Sequence, residues 1–185
     1  MAITASGIED MDPLERDVPV WSVADFKARI GTEIGVSTWR DVTQEKVDAF
    51  AVSTGDVNYL HVNPERARAQ AGMSGTIAHG LFTLSLLPTF AYELTPKVMG
   101  SVLGLNYGFD KVRWIAPVPV GSRVRARYVL ADAEVKNGSL VLTYDVTVEI
   151  EGQEMDKGGK PALIARSLGH SRLSPETLRE LEGAA

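Results

Sequence analysis

Leu81-Phe82-Thr83-Leu84-Ser85-Leu86-Leu87-Pro88-Thr89-Phe90-Ala91-Tyr92-Glu93-Leu94 is the stretch on which the fold turns. Its apolar members, Leu81, Phe82, Leu84, Leu86, Leu87, Phe90, Ala91 and Leu94, spread around the whole circumference of a helix. A helix apolar on every side must be buried on every side. Pro88 removes one helical hydrogen bond inside it, so a bend is expected there. The stretch is interrupted by Thr83, Ser85, Pro88, Thr89 and Glu93. It is also shorter than the roughly 20 residues that span a bilayer. It therefore reads as the centre of a soluble domain, with no membrane contact.

Downstream of this helix the apolar period changes to two. Strands are expected near 101–115, 122–136, 139–151 and 162–173, with Asn137-Gly138 as a two-residue hairpin and Pro117-Val118-Pro119 breaking the sheet before Gly121. Upstream the pattern is helical. Trp21 to Ile30 suits a short helix capped by Ser22 and ended by Gly31. Val36 to Val42 reads as a strand, and Thr43 caps a helix that runs to Thr54-Gly55. Asn63-Pro64-Glu65 starts another that Gly72 stops. A sheet has one face to bury and this central helix has all of its faces to bury. The economical solution is a strongly curved antiparallel sheet wrapped around it, an α+β hot-dog fold. Residues 1–20 read as an arm, 21–173 as a single domain and 174–185 as a tail with a short exposed helix, Glu176 to Glu182. Such a sheet leaves one flank of the helix uncovered, so a homodimer at least is expected.

The composition narrows the function. The 185 residues carry a formal net charge of −5, which gives no footprint for general nucleic-acid binding. There is no cysteine, which excludes disulfides, thiolate metal sites and cysteine nucleophiles, and fits a cytoplasmic protein. The N-terminal residues, Met1 to Asp17, lack the apolar run of a secretory signal.

Two segments carry chemistry. In Ser53-Thr54-Gly55-Asp56-Val57-Asn58-Tyr59-Leu60-His61, an acid precedes an imidazole by five residues in a turn between helices. An Asp and a His sharing one water form an acid/base pair. The same spacing also suits a turn capped by Asp56 with His61 packed beside the Asn63 cap. The second segment, Gly75-Thr76-Ile77-Ala78-His79-Gly80, leads into the central helix. A helix start offers unpaired N–H groups and partial positive charge, so the Gly80 N–H can stabilise an enolate oxygen. Alternatively, Gly80 only permits tight packing there. His79 suits a structural hydrogen bond to backbone. Ser85 either lines an acyl pocket or bonds back to a helix carbonyl. Lys111 and Arg113 suit a solvated strand face better than a phosphate site, and Trp21, Trp39 and Trp114 suit packing better than recognition. The three histidines with one acid match no usual zinc spacing, so no metal is expected.

Asp56-Val57-Asn58-Tyr59-Leu60-His61, Ile77-Ala78-His79-Gly80 and Leu84-Ser85-Leu86-Leu87-Pro88 resemble the MaoC-like dehydratases, also called R-specific enoyl-CoA hydratases or type 2 hydratases. Asn106-Tyr107-Gly108, Lys111-Val112-Arg113 and Pro117 to Val124 are similar to the NodN-like branch of that family, and the resemblance spans about residues 25–172. It implies a hot-dog homodimer that reversibly hydrates trans-2-enoyl thioesters, of CoA or of acyl-carrier protein, to (R)-3-hydroxyacyl thioesters without a cofactor. It implies catalytic roles for Asp56 and His61 and an oxyanion donor in Gly80. Asn58 would orient the water or the catalytic loop, and Tyr59, standing where many relatives have proline, would shape the acyl pocket; His79 and Ser85 complete the expected substrate-binding set. A hot-dog acyl-thioesterase or a non-catalytic acyl-thioester-binding protein are the alternatives. The thioesterase usually carries an acid on the central helix, where this chain has only Glu93 at the far end.

Overall fold

The computed structural model describes residues 17–183. The arm expected over 1–20 therefore lies outside the described residues up to residue 16. From there the chain runs through β1 (Val20–Trp21), α1 (Val23–Ala28), β2 (Glu33–Val36), β3 (Arg40–Asp41), α2 (Gln44–Thr54), α3 (Tyr59–Val62) and α4 (Pro64–Ala71). The central helix follows as two pieces, α5 (Gly80–Ser85) and α6 (Leu87–Leu94). Then come β4 (Lys97–Val98), the long strands β5 (Ser101–Trp114), β6 (Arg123–Lys136), β7 (Ser139–Ile150) and β8 (Leu163–Leu173), and α7 (Pro175–Gly183).

The caps follow their residues. The Ser22 hydroxyl accepts from the Asp25 N–H while the Asp25 carboxylate accepts from the Ser22 N–H, a reciprocal box that starts α1. Thr43 caps α2 and Asn63 caps α4. Gly55 and Gly72 end those helices in the left-handed conformation, where an L side chain is strained. Asn137 and Gly138 both have positive φ, the turn that joins β6 to β7 with Lys136 opposite Ser139.

The main sheet runs β2-β6-β7-β8-β5, with β3 also paired to β6. Along β6 the buried positions alternate, Val124, Ala126, Tyr128 and Leu130, and β7 continues this face with Leu142, Tyr144, Val146 and Val148. These side chains close over Phe82, Leu87 and Phe90 of the central helix. Phe90 is fully buried, which is worth about 1.5–3 kcal/mol relative to exposure. The Tyr128 hydroxyl donates to the Leu87 carbonyl at 2.8 Å and pins the start of α6 to the sheet. Burial pushes the pKa of that hydroxyl well above its ordinary value.

One expectation is corrected. The strand expected over Val36–Val42 is two short pieces, β2 and β3, separated by Ser37 to Trp39, where the Ser37 hydroxyl accepts from the Ala126 N–H instead of a ladder partner. The central helix is interrupted just where Pro88 is expected to disturb it: Pro88 has no N–H to continue the ladder, and Leu86, the one residue between α5 and α6, keeps right-handed helical angles at φ −78° and ψ −16°. One flank of the helix is left uncovered, as expected of such a sheet. Leu81 is 58% exposed and Tyr92 44%, on the flank beside β5. β5 is itself an edge of the sheet, with Val102, Leu105 and Tyr107 exposed. The curved sheet encloses the helix from one side only.

Candidate active site

The two segments read as chemical meet at one cleft. Asp56 lies in the turn between α2 and α3, and His61 lies on α3. The Asn58 carboxamide oxygen accepts from the Leu60 N–H at 3.1 Å and caps α3, so Asn58 orients the loop rather than facing the cleft. The second segment crosses beside it. The Ile77 N–H donates to the Leu60 carbonyl, Ala78 N–H to the Val118 carbonyl and Val120 N–H to the Thr76 carbonyl, so the segment is held between α3 and the Pro117-Val118-Pro119 turn. The cleft between them has a volume of about 470 Å³. Asp56, His61, His79, Gly80, Trp114 and Ala162 are among its walls.

Each imidazole is oriented by the other segment's backbone. His61 Nδ1 lies 2.8 Å from the Ile77 carbonyl oxygen, and His79 Nε2 lies 2.9 Å from the Asp56 carbonyl oxygen. A carbonyl only accepts, so the proton sits on Nδ1 of His61 and on Nε2 of His79. That leaves Nε2 of His61 as the basic nitrogen. The two rings stack with centroids 3.8 Å apart and a tilt of 29°. Asp56, His61 and His79 each place a ligand-type atom within 4.8 Å of the others. That spacing lets the three share one small ligand, a water or an ion.

Gly80 opens α5 as its first residue, so its N–H has no carbonyl one turn back to bind. A side chain at Gly80 would meet the Trp114 indole, whose Nε1 lies 2.6 Å from the place of a Cβ. Gly80 is therefore required by protein packing as well as by any approaching ligand. Trp114, read from sequence as packing only, is also a wall of the cleft. The other residue that sequence reasoning missed is Gln44, at the first position of α2. Its amide donates to the His61 carbonyl at 2.7 Å, and its oxygen accepts from the Thr76 hydroxyl, so one side chain ties both chemical segments to α2. Nothing local in the sequence marks it, because its partners are 17 and 32 residues away.

Some expected site residues fall elsewhere. Ser85 is exposed and its hydroxyl donates to the Phe82 carbonyl at 2.7 Å, the helix back-bond rather than a pocket contact. Tyr59 turns away from the cleft and stacks under the Arg66 guanidinium at 4.3 Å. His79 reaches the cleft wall but is only 2% exposed, so it faces protein far more than ligand. Lys111 lies within electrostatic reach of the Asp145–Arg166 ion pair on neighbouring strands, the solvated face expected of it.

Among the described residues no helix is long and apolar enough to cross a membrane. The MaoC-like domain family matches residues 25–151. Nodulation protein N of Rhizobium leguminosarum bv. viciae is 48% identical over 145 residues, 78% of this chain and 87% of its own. The 3-hydroxyacyl-thioester dehydratase Z of Mycobacterium tuberculosis is 47% identical over 148 residues, 80% of this chain and 93% of its own. Among solved structures, a monoamine oxidase regulatory protein from Archaeoglobus superposes with a TM-score of 0.64 at 26% identity, over 79% of this chain and 92% of that one. An (R)-hydratase from A. caviae superposes at 0.58 and 21% identity, over 78% and 96%. With its curved sheet, its central helix and its paired Asp56 and His61 in the matched span, this chain belongs to the MaoC-like dehydratase family and has the hot-dog fold.

Proposed function

We propose that this protein is a hydro-lyase that adds water across the α,β-double bond of trans-2-enoyl thioesters to give (R)-3-hydroxyacyl thioesters, and catalyses the reverse. The observation that carries this reading is the convergence of Asp56 and His61 at a cleft that also contains the free amide of Gly80. The thioester carbonyl accepts from the Gly80 N–H, which draws electron density from the β-carbon. Asp56 and the Nε2 of His61 hold one water between them. As its oxygen bonds to the β-carbon, the pair removes one proton from the water and delivers one to the α-carbon, so that the elements of water add without a cofactor.

A second cavity of about 540 Å³ begins at Leu87, two turns beyond Gly80, between α6 and strands β5 and β8. Its apolar walls, among them Ala91, Leu103 and Phe109, suit the acyl tail. With Ala91→Phe, longer enoyl-CoAs should lose about tenfold in kcat/KM relative to crotonyl-CoA, a ratio read in parallel assays. The exposed β5 edge and the open helix flank support a homodimer, and CoA or acyl-carrier-protein thioesters point to the cytoplasm.

The thioesterase alternative is disfavoured by Glu93. Its carboxylate accepts from the Thr38 N–H at 2.5 Å and pairs with Arg40 at 3.1 Å, at the opposite end of the helix from the cleft. The decisive test follows enoyl absorbance and thiol release together on crotonyl-CoA. Hydration removes the absorbance and frees no thiol; thiol release, or unchanged absorbance, would overturn the reading.

A further inference from the structure

His79 has one nitrogen that does nothing visible. Its Nδ1 is fully buried with no hydrogen-bond partner among the described residues, while the other nitrogen holds the Asp56 carbonyl. Burying a polar atom without a partner is unfavourable. The surroundings would welcome an apolar ring, since Phe50 and Phe82 pack 5.7 Å apart in this cluster and Phe50 lies 5.1 Å from His79. What the imidazole supplies here that a phenyl ring would not, with a partner in place, is the Nε2–H.

That N–H reaches the backbone of the residue whose carboxylate is proposed to hold the water. Asp56 is exposed and lies just after the left-handed Gly55, where its own N–H has only a 3.4 Å contact with the Thr54 hydroxyl. The loop has few other restraints at that point. Meanwhile the face of the His79 ring backs the face of His61. One buried side chain thus touches both members of the pair, one by a hydrogen bond and the other by stacking. The clasp is reciprocal, because His61 likewise donates to the segment that carries His79.

We propose that His79 is a positioning residue for hydration, whose Nε2–H fixes the Asp56 loop against His61. The proposal rests on the hydratase reading above. It makes no contact with substrate a requirement; the ring acts through Asp56 and His61.

His79→Phe keeps a ring for stacking and removes both nitrogens. His79→Gln offers an amide N–H near the place of Nε2. With crotonyl-CoA, His79→Phe should lower kcat about ten- to hundredfold, the usual effect of removing a supporting hydrogen bond, with KM within about threefold. His79→Gln should recover most of that loss, and the melting temperature of the Phe variant should stay close to wild type. A Phe variant with wild-type kcat would overturn the proposal. So would equal kcat losses in both variants that follow their melting temperatures, since that is the pattern of a packing role. Nitrogen-15 NMR of the imidazoles in the wild type gives a readout independent of turnover. It should show His79 protonated on Nε2 and His61 on Nδ1; His79 protonated on Nδ1 would overturn the clasp even in an active enzyme. Failure of the wild type to hydrate crotonyl-CoA would instead sink the functional reading, leaving the NMR result to stand on its own.

Discussion

Asp56→Asn and His61→Ala should each reduce turnover of crotonyl-CoA by about 10²–10⁴-fold, the range of a lost general acid or base. Both changes leave the fold's supports in place. Asp56 is exposed, and the loop contact to His79 runs through its carbonyl, which asparagine keeps. His61→Ala gives up one hydrogen bond to the Ile77 carbonyl and a ring contact, at the half-buried edge of the domain. Melting temperatures should therefore fall little beside the loss of rate. With the pair acting on one water, as proposed, the double variant should be scarcely slower than the worse single one, as residues that work as a unit are not additive. Initial rates for the four proteins decide the matter. Retention of wild-type rate by either single variant would remove that residue from the mechanism.

Gly80→Ala is the second large effect, and its cause is steric. The new methyl would stand 2.6 Å from Nε1 and 2.8 Å from two carbons of the Trp114 indole, closer than any carbon tolerates. The indole is half exposed on the last residue of β5, so it has room to swing outward. The expected cost in stability is that of moderate overpacking, about 1–3 kcal/mol. Activity should suffer more, because the displaced indole is a wall of the cleft beside the amide proposed to polarise the thioester. The combination Gly80→Ala with Trp114→Ala should regain stability relative to Gly80→Ala alone, measured by denaturant unfolding. A double variant less stable than Gly80→Ala would show that the two residues do not collide.

The sequence reading located most of this, and the particular failures are instructive. The long strands were legible because alternation and the Asn137-Gly138 turn agree, and the observed strands start and end within about two residues of expectation. The starts of α2 and α4 were legible because Thr43 and Asn63 cap them through local bonds. The central helix was legible in place, and so was its open flank, where Leu81 and Tyr92 stay exposed, because one curved sheet cannot surround a helix. Ser85 was ambiguous because a helical serine bonds back to the preceding turn wherever it points. Asp56, His61 and Gly80 were found through the motif, and Gln44 was not, because a side chain that bridges 17 and 32 residues leaves no periodic trace.

The β5 margin of the sheet also walls both cavities. Trp114 stands at one end of β5, while Leu103 and Leu105 farther along the same strand line the apolar cavity. Any partner that pairs with that strand sits beside those walls. If seating a ligand displaces them, occupancy and association are linked, and each changes the strength of the other by the same factor.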